Sequence, residues 1–259
     1  MSVQNNGVEE INRLKQKQML QIVSSSFYKE LMRYGVDKSG IVSVSMNLLD
    51  FITEKNKPNL PLNEIDPALY YNFDIKNVGN MWEQKSSLFI DDVTITALDK
   101  KDIEAVTGWL HAPQIENMLL RSFPVETAKL KQDIVDNPSR KYFSICHQNE
   151  MIGIIGADMI DEKASKLEMK KLIGKSAYRG KGIGKKATFL FLYYAFEILN
   201  INKVFIHSQD TNINNININS RFGFGLEGIL YKEVRVDGEF RDILRMSLLR
   251  SRWKELFNK

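Results

Sequence analysis

Apolar side chains recur at helical spacing from residue 9 to about residue 57, where Ile11, Leu14, Leu20, Ile22, Val23, Phe27, Leu31 and Met32 set the rhythm. Gly35 follows Tyr34 and is placed to end this first helix. A second helix is predicted from Lys38 to Lys55, with Ile41, Val44, Leu48, Leu49 and Ile52 along one face. Residues 55 to 67 are rich in Pro and Asn and read as a loop. The stretch YYNFDIKNVGNMWEQKSS has no clear period, and a domain boundary is set near Ser86.

After that point the period changes. LFIDDVTITA (88–97) alternates as a strand does. Ile103, Val106, Trp109 and Leu110 mark a helix over 100–121, and another runs from Val125 to Val135. KYFSICHQNEMIGIIGADMI (141–160) reads as a hairpin turning at Gln148 to Glu150, and KLEMKKLIG (166–174) as a further strand. Then come a glycine-rich turn, a helix over 185–199, the strand NKVFIHSQD, the helix TNINNININSRFGF with its exit, and a last hairpin turning at Asp237 and Gly238. The order β-α-α-β-β-β-α-β-α-β-β predicts an α/β (α+β) domain, a mixed sheet carrying helices. Two units are expected: an N-terminal helical subdomain over 1–86 and the sheet domain over 87–259.

Composition narrows the class. Of 259 residues, 43% are hydrophobic and 26% charged, enough to bury a substantial core. The net charge of +4 comes from 36 basic and 32 acidic residues spread along the chain, which suits an anionic small ligand and argues against nucleic acid. The single cysteine, Cys146, excludes an internal disulfide and a cysteine-rich metal site. The polar start MSVQNNGVEEINRLKQKQ has no signal-peptide core, and no apolar run reaches the ~20 residues that span a bilayer. A cytoplasmic protein with no membrane partner is expected. ATFLFLYYAFEIL reads as a buried helix.

The chemistry concentrates in AYRGKGIGKKAT (177–188). A strand, then glycines, then a helix start make an anion site, because first-turn amides lack partners and the helix dipole favours negative charge. Gly180, Gly182 and Gly184 let a phosphate approach the backbone, and Arg179, Lys181, Lys185 and Lys186 surround it with charge. A basic surface turn is the plainer alternative. The Walker and dinucleotide fingerprints both fail on this stretch.

RGKGIG fits R/Q-x-x-G-x-G/A, and here the sequence resembles the GNAT N-acetyltransferase superfamily. The apolar helix after the loop, Asn212 with Gly223-Phe224 eleven residues on, Leu226-Glu227-Gly228, and the helix bearing Trp109, Leu110 and Pro113 extend the likeness over about 90–249. They resemble the ribosomal-protein and spermidine acetyltransferase subgroup. Residues 1–86 match nothing nameable. The resemblance implies a mostly antiparallel twisted sheet flanked by helices. It also implies acetyl transfer from acetyl-CoA to an amine.

By that resemblance the coenzyme is held by Arg179, Gly180, Lys181, Gly182, Ile183, Gly184 and Lys185, by the main chain of Leu172 and Gly174, and by Asn212. An amine must lose a proton before it attacks. Glu168 is the first candidate base and Asp158, on the preceding strand, the second. A solvent-facing strand position is the alternative for Glu168, and a helix N-cap for Asn212. Many members carry a Tyr acid at the position held here by Asn219, and an amide has no titrating proton to give. Tyr231, Tyr194 or solvent is left to protonate the thiolate. His111, His147 and His207 form no metal motif and read as structural or surface residues. The expected acceptor is a small-molecule primary amine, an amino sugar, amino acid or polyamine. Protein Nα-acetylation and a non-catalytic acyl-CoA-binding module are the alternatives. The N-terminal helices have room to cover the cleft, to form a homodimer or to bind a carrier.

Overall fold

A computed structural model describes residues 34–53, 69–112, 115, 123–124, 126–209, 212–236 and 238–258, with scattered positions between 13 and 32. The chain divides into two compact units, 1–64 and 65–259.

In the first unit, Gly35 adopts φ +75° and its amide bonds to Met32 O, so the chain turns where the sequence places a helix end. Helix α1 (Lys38–Thr53) follows. Asp37 caps it, its Oδ1 accepting from the Gly40 amide at 2.8 Å. The loop expected over 55–67 lies outside the described residues.

The second unit is built on a nine-stranded sheet in the order β1-β2-β3-β4-β5-β6-β7-β9-β8. Its strands are β1 (Gly79–Met81), β2 (Ser87–Ile90), β3 (Val93–Ala97), β4 (Lys141–His147), β5 (Glu150–Asp161), β6 (Lys166–Ile173), β7 (Lys203–Gln209), β8 (Gly225–Val236) and β9 (Glu239–Leu249). Every pairing is antiparallel except β6 with β7. The helices are α2 (Trp82–Lys85), α3 (Ile103–Leu110), α4 (Thr127–Ile134), α5 (Ile183–Tyr193, continued by a π-helical turn to Ile198), α6 (Ile213–Ser220) and α7 (Arg250–Phe257). This is the expected mixed, mostly antiparallel sheet with helices on it.

Each sheet face buries its own core. On one face α5 and α7 bring Phe189, Phe191, Phe196, Trp253 and Phe257 against Phe143, Leu167 and Val204. Fully burying such side chains stabilises the fold by about 1.5–3 kcal/mol each. On the other, Ile103, Val106 and Leu110 of α3 and Leu130 and Ile134 of α4 pack on Tyr142, Ile154 and Leu172.

Three expectations change. The single strand over 88–97 is a hairpin, because Asp91 takes φ +49° and the chain reverses through Asp91 and Asp92. The boundary near Ser86 falls inside the second unit: Phe73 stacks on Phe189 at 4.5 Å, and Tyr71 meets Phe222 at 4.7 Å. α3 ends at Leu110, while most of 113–122 lies outside the described residues. Among the described residues no helix is long and apolar enough to cross a membrane, and no cluster of three potential metal ligands occurs.

Candidate active site

Strands β6 and β7 are paired only from Lys166↔Lys203 to Glu168↔Phe205. Past that point β6 runs on to Ile173 and β7 to Gln209 without a shared register, so the sheet opens between them. Main-chain groups along an opening have no ladder partner and are available to a ligand. The carbonyl of Leu172 points at β5, where it would lie 2.2 Å from a Cβ on Gly153. Backbone groups alternate along a strand, so Lys171 and Ile173, rather than Leu172, face the opening. Ile173 O accepts from Arg179 Nε at 2.9 Å. Gly174 closes the strand against Trp109, whose ring would stand 2.1 Å from a Cβ there.

The glycine turn lies beyond the end of β6. Gly180 (φ +77°) and Gly182 (φ +82°) adopt left-handed conformations that L side chains resist. A Cβ on either would meet no protein atom within 4 Å, so the floor of the turn is bare backbone. Gly182 caps α5, and the amides of Ile183 and Gly184 precede the helix ladder. Ile183 contributes only that amide, since its side chain is in the core.

A cleft of about 520 Å³ opens over this turn. Lys185 and Arg221 both lie against the ring of Tyr71 there, at 5.1 and 4.6 Å from its centroid. Lys171 also lines the cleft, and its ammonium donates to Thr188 Oγ1 at 2.7 Å. Burial there pushes its pKa down to about 8. Lys181 stands over Tyr178 at 5.4 Å, and Lys186 is tied to Asp92 at 2.7 Å and Asp91 at 3.0 Å. Bare backbone, first-turn amides and several cations around one cleft fit the pyrophosphate of a coenzyme. The sequence reading missed Tyr71, Lys171 and Arg221. Tyr71 lies in the stretch without a period, and nothing in spacing aims a strand lysine or a helix-exit arginine at a loop.

On the sheet face covered by α3 and α4, Glu168 and Asp158 stand directly opposite each other across β6 and β5. Both are buried. Asp158 Oδ1 accepts from Tyr142 Oη at 2.9 Å and faces Arg140 Nε at 3.3 Å. Glu168 Oε1 accepts from Lys170 Nζ at 2.6 Å and His207 Nδ1 at 2.9 Å. Burial pushes the Glu168 carboxyl up, but the His207 bond and the Lys170 charge outweigh it and hold it below the ordinary carboxylate range. Asn212 caps α6, its Oδ1 accepting from Asn215 N at 3.3 Å.

Other candidates move away from the opening. Tyr194 is buried among Trp82 and Phe143, which pushes its phenol up to about 12. Tyr231 is half exposed on β8. The Cys146 thiol is pushed up by burial and by Asp102. His147 Nε2 meets Asp92 at 2.8 Å, and His111 Nδ1 meets Thr107 O at 2.8 Å.

Residues 92–225, more than half of the chain, match the family described as Acetyltransferase (GNAT) domain. The chain belongs to the GNAT acetyltransferases. This GNAT enzyme is 26% identical over 129 residues to the Spermidine N(1)-acetyltransferase of Escherichia coli (strain K12), covering 50% of this chain and 69% of that one. It is 25% identical over 171 residues to the Spermidine N(1)-acetyltransferase of Vibrio cholerae serotype O1, covering 62% and 95%. The crystal structure of a spermidine N-acetyltransferase from Vibrio cholerae in complex with CoA and spermine shares the fold, with TM-score 0.59, 22% identity, and 62% and 98% of the two chains covered. As a GNAT N-acetyltransferase the enzyme draws its acetyl group from acetyl-CoA.

Proposed function

We propose that this GNAT enzyme acetylates the primary amine of a small molecule, an amino sugar, amino acid or polyamine, by direct attack in a ternary complex. The observation that carries the reading is the opening of β6 from β7 immediately past Glu168, with the glycine turn at one end and a buried carboxylate at the other. Amine and thioester held in one opening gain the rate that fixed proximity supplies.

In this reading the amides of Gly182, Ile183 and Gly184 take the pyrophosphate, Lys185 and Arg221 neutralise it, and the main chain of Lys171 and Ile173 lies along the pantetheine arm. Asn212 joins them as cap and contact. Glu168 holds negative charge beside the incoming ammonium, and Asp158 braces Tyr142 and Arg140. Polyamines are the first acceptors to test, since relatives carry that activity in their names. Asp158 and Glu168 are each already matched by a cation, which favours an acceptor with one ammonium over a polycation. The N-terminal residues form a separate helical unit in this reading, and the enzyme works in the cytoplasm.

Thiol release from acetyl-CoA, followed across polyamines, amino sugars and amino acids with product masses, tests the proposal. Release with at least one small amine is expected. Release only with peptide N-termini would replace the acceptor class; the exposed Phe240 and Tyr231 of the β8–β9 hairpin are the feature that favours a peptide.

A further inference from the structure

Resting on the acetyl-transfer reading, we infer that His207 carries the proton of the reaction. Its Nε2 takes the proton from the attacking amine and returns it to the departing sulfur, while Glu168 acts as the positioning residue.

The argument starts from the imidazole. His207 Nδ1 lies 2.9 Å from Glu168 Oε1. An ionised carboxylate only accepts, so Nδ1 carries the hydrogen, and in the neutral ring this leaves Nε2 with a lone pair. That Nε2 is buried and has no hydrogen-bond partner. His207 lines a slot of about 50 Å³ in the gap between β6 and β7, together with Lys170, Asn215 and Asn219.

Asn219 supplies the second half. Its amide nitrogen donates to Asn215 O at 2.8 Å and Asn215 Oδ1 at 3.1 Å. Its own Oδ1 is therefore an acceptor, and it too is buried without a partner. A buried acceptor left unpaired is costly. Both residues line this one small slot, and unpaired acceptors beside it favour an occupant that brings N–H or O–H groups: the acceptor amine, or the water it displaces.

Glu168 is the weaker proton acceptor of the pair. Two donors converge on its Oε1, and they hold its carboxyl in the ionised state. The charges around His207 are Glu168, Lys170 and Lys171 from β6 and Arg245 directly opposite on β9, itself paired with Glu227 of β8. From α6 only the neutral amides of Asn215 and Asn219 face the slot. Among the described residues Glu168 is the single anion in contact with the ring, so it is the group that stabilises an imidazolium there.

The step balances without a further reactant. The ammonium first sheds one proton to solvent; the free amine nitrogen then forms a bond to the acyl carbon and gives a second proton to His207 Nε2. The carbon–sulfur bond breaks and sulfur keeps the electron pair. Nε2 then passes the proton to that sulfur, leaving an amide, a thiol and a neutral imidazole. One residue thus accounts for both proton transfers, which answers the lack of a titrating group at Asn219.

The full chain is used to test this. In 15N-histidine NMR of the resting protein at neutral pH, His207 is expected to show a protonated Nδ1 and a bare Nε2. An Nε2–H tautomer there overturns the inference, whatever the acceptor. In turnover, His207→Gln is expected to lower kcat by about 10²- to 10⁴-fold with CoA affinity unchanged. It also removes the acid limb of the pH profile, and added imidazole restores turnover to His207→Ala. Full activity with the limb intact overturns the assignment, as does a slow variant that keeps the limb and ignores imidazole. If wild-type protein binds CoA and releases no thiol with any amine, the transfer reading fails instead, and the tautomer still decides the role of His207.

Discussion

Lys171 of β6 donates a hydrogen bond to Thr188 Oγ1 in the second turn of α5, at 2.7 Å, in a site that keeps its ammonium from water. Burial lowers its pKa from 10.5 to about 8. The unfolded chain therefore binds more protons than the folded one between about pH 8 and 10.5, and stability rises with pH across that window. Below it the penalty is fully present, on the order of 3 kcal/mol before the hydrogen bond offsets part of it. Lys171→Met should match or exceed wild type in urea unfolding at pH 7, with the advantage shrinking by pH 10. Parallel stability curves over that range would show that the ammonium is solvated after all.

Glu168 titrates in the opposite sense. Its folded carboxyl sits below the ordinary range, so the stability it contributes is present above the unfolded value and lost as pH falls through the folded one. Acid unfolding of wild type should thus show a loss below about pH 4.5, the ordinary value for this group, that Glu168→Gln lacks. A variant with the same acid profile as wild type would mean that Lys170 and His207 do not hold this carboxylate.

Gly174 and Trp109 make a tighter test of the site's frame. A Cβ at 174 would stand 2.1 Å from the indole, so Gly174→Ala must displace Trp109 and with it the end of α3. Overpacking of this kind costs about 1–3 kcal/mol. The melting temperature should fall and the tryptophan emission shift. Trp109→Leu in the alanine background should restore most of the loss, since the clashing ring is gone.

What could be read beforehand follows from what period and spacing encode. The glycine turn and the order of strands around it were legible, because bare backbone, a helix start and alternating strands each leave a local mark. The hairpin at Asp91 was not, since strict alternation through LFIDDVTITA conceals a reversal made by one left-handed residue. α7 was missed although Trp253, Leu256 and Phe257 stand at helical spacing, because it follows a strand with no loop between them. Tyr71, Arg221 and His207 belong to the site only through tertiary contact. His207 in particular reads as one polar position in an apolar strand until Glu168 is seen beside it.

The basic residues of the loop divide into two kinds, and CoA affinity should separate them. Lys186 is held by Asp91 and Asp92, which raise its pKa and cancel its charge locally, so it staples α5 to the β2–β3 turn. Lys185 and Arg221 are presented to the cleft on the face of Tyr71. Lys185→Ala and Arg221→Ala should each weaken CoA binding about tenfold by calorimetry, near 1.4 kcal/mol, with a smaller loss at high salt. Lys186→Ala should lower stability and leave CoA affinity within about twofold. Gly182→Glu should abolish binding, because it puts a carboxylate over the first-turn amides and strains a φ of +82°. Stability of the folded protein without CoA then discriminates: if Gly182→Glu stays folded and binds CoA as wild type does, the pyrophosphate lies elsewhere, and the cations on Tyr71 serve some other anion.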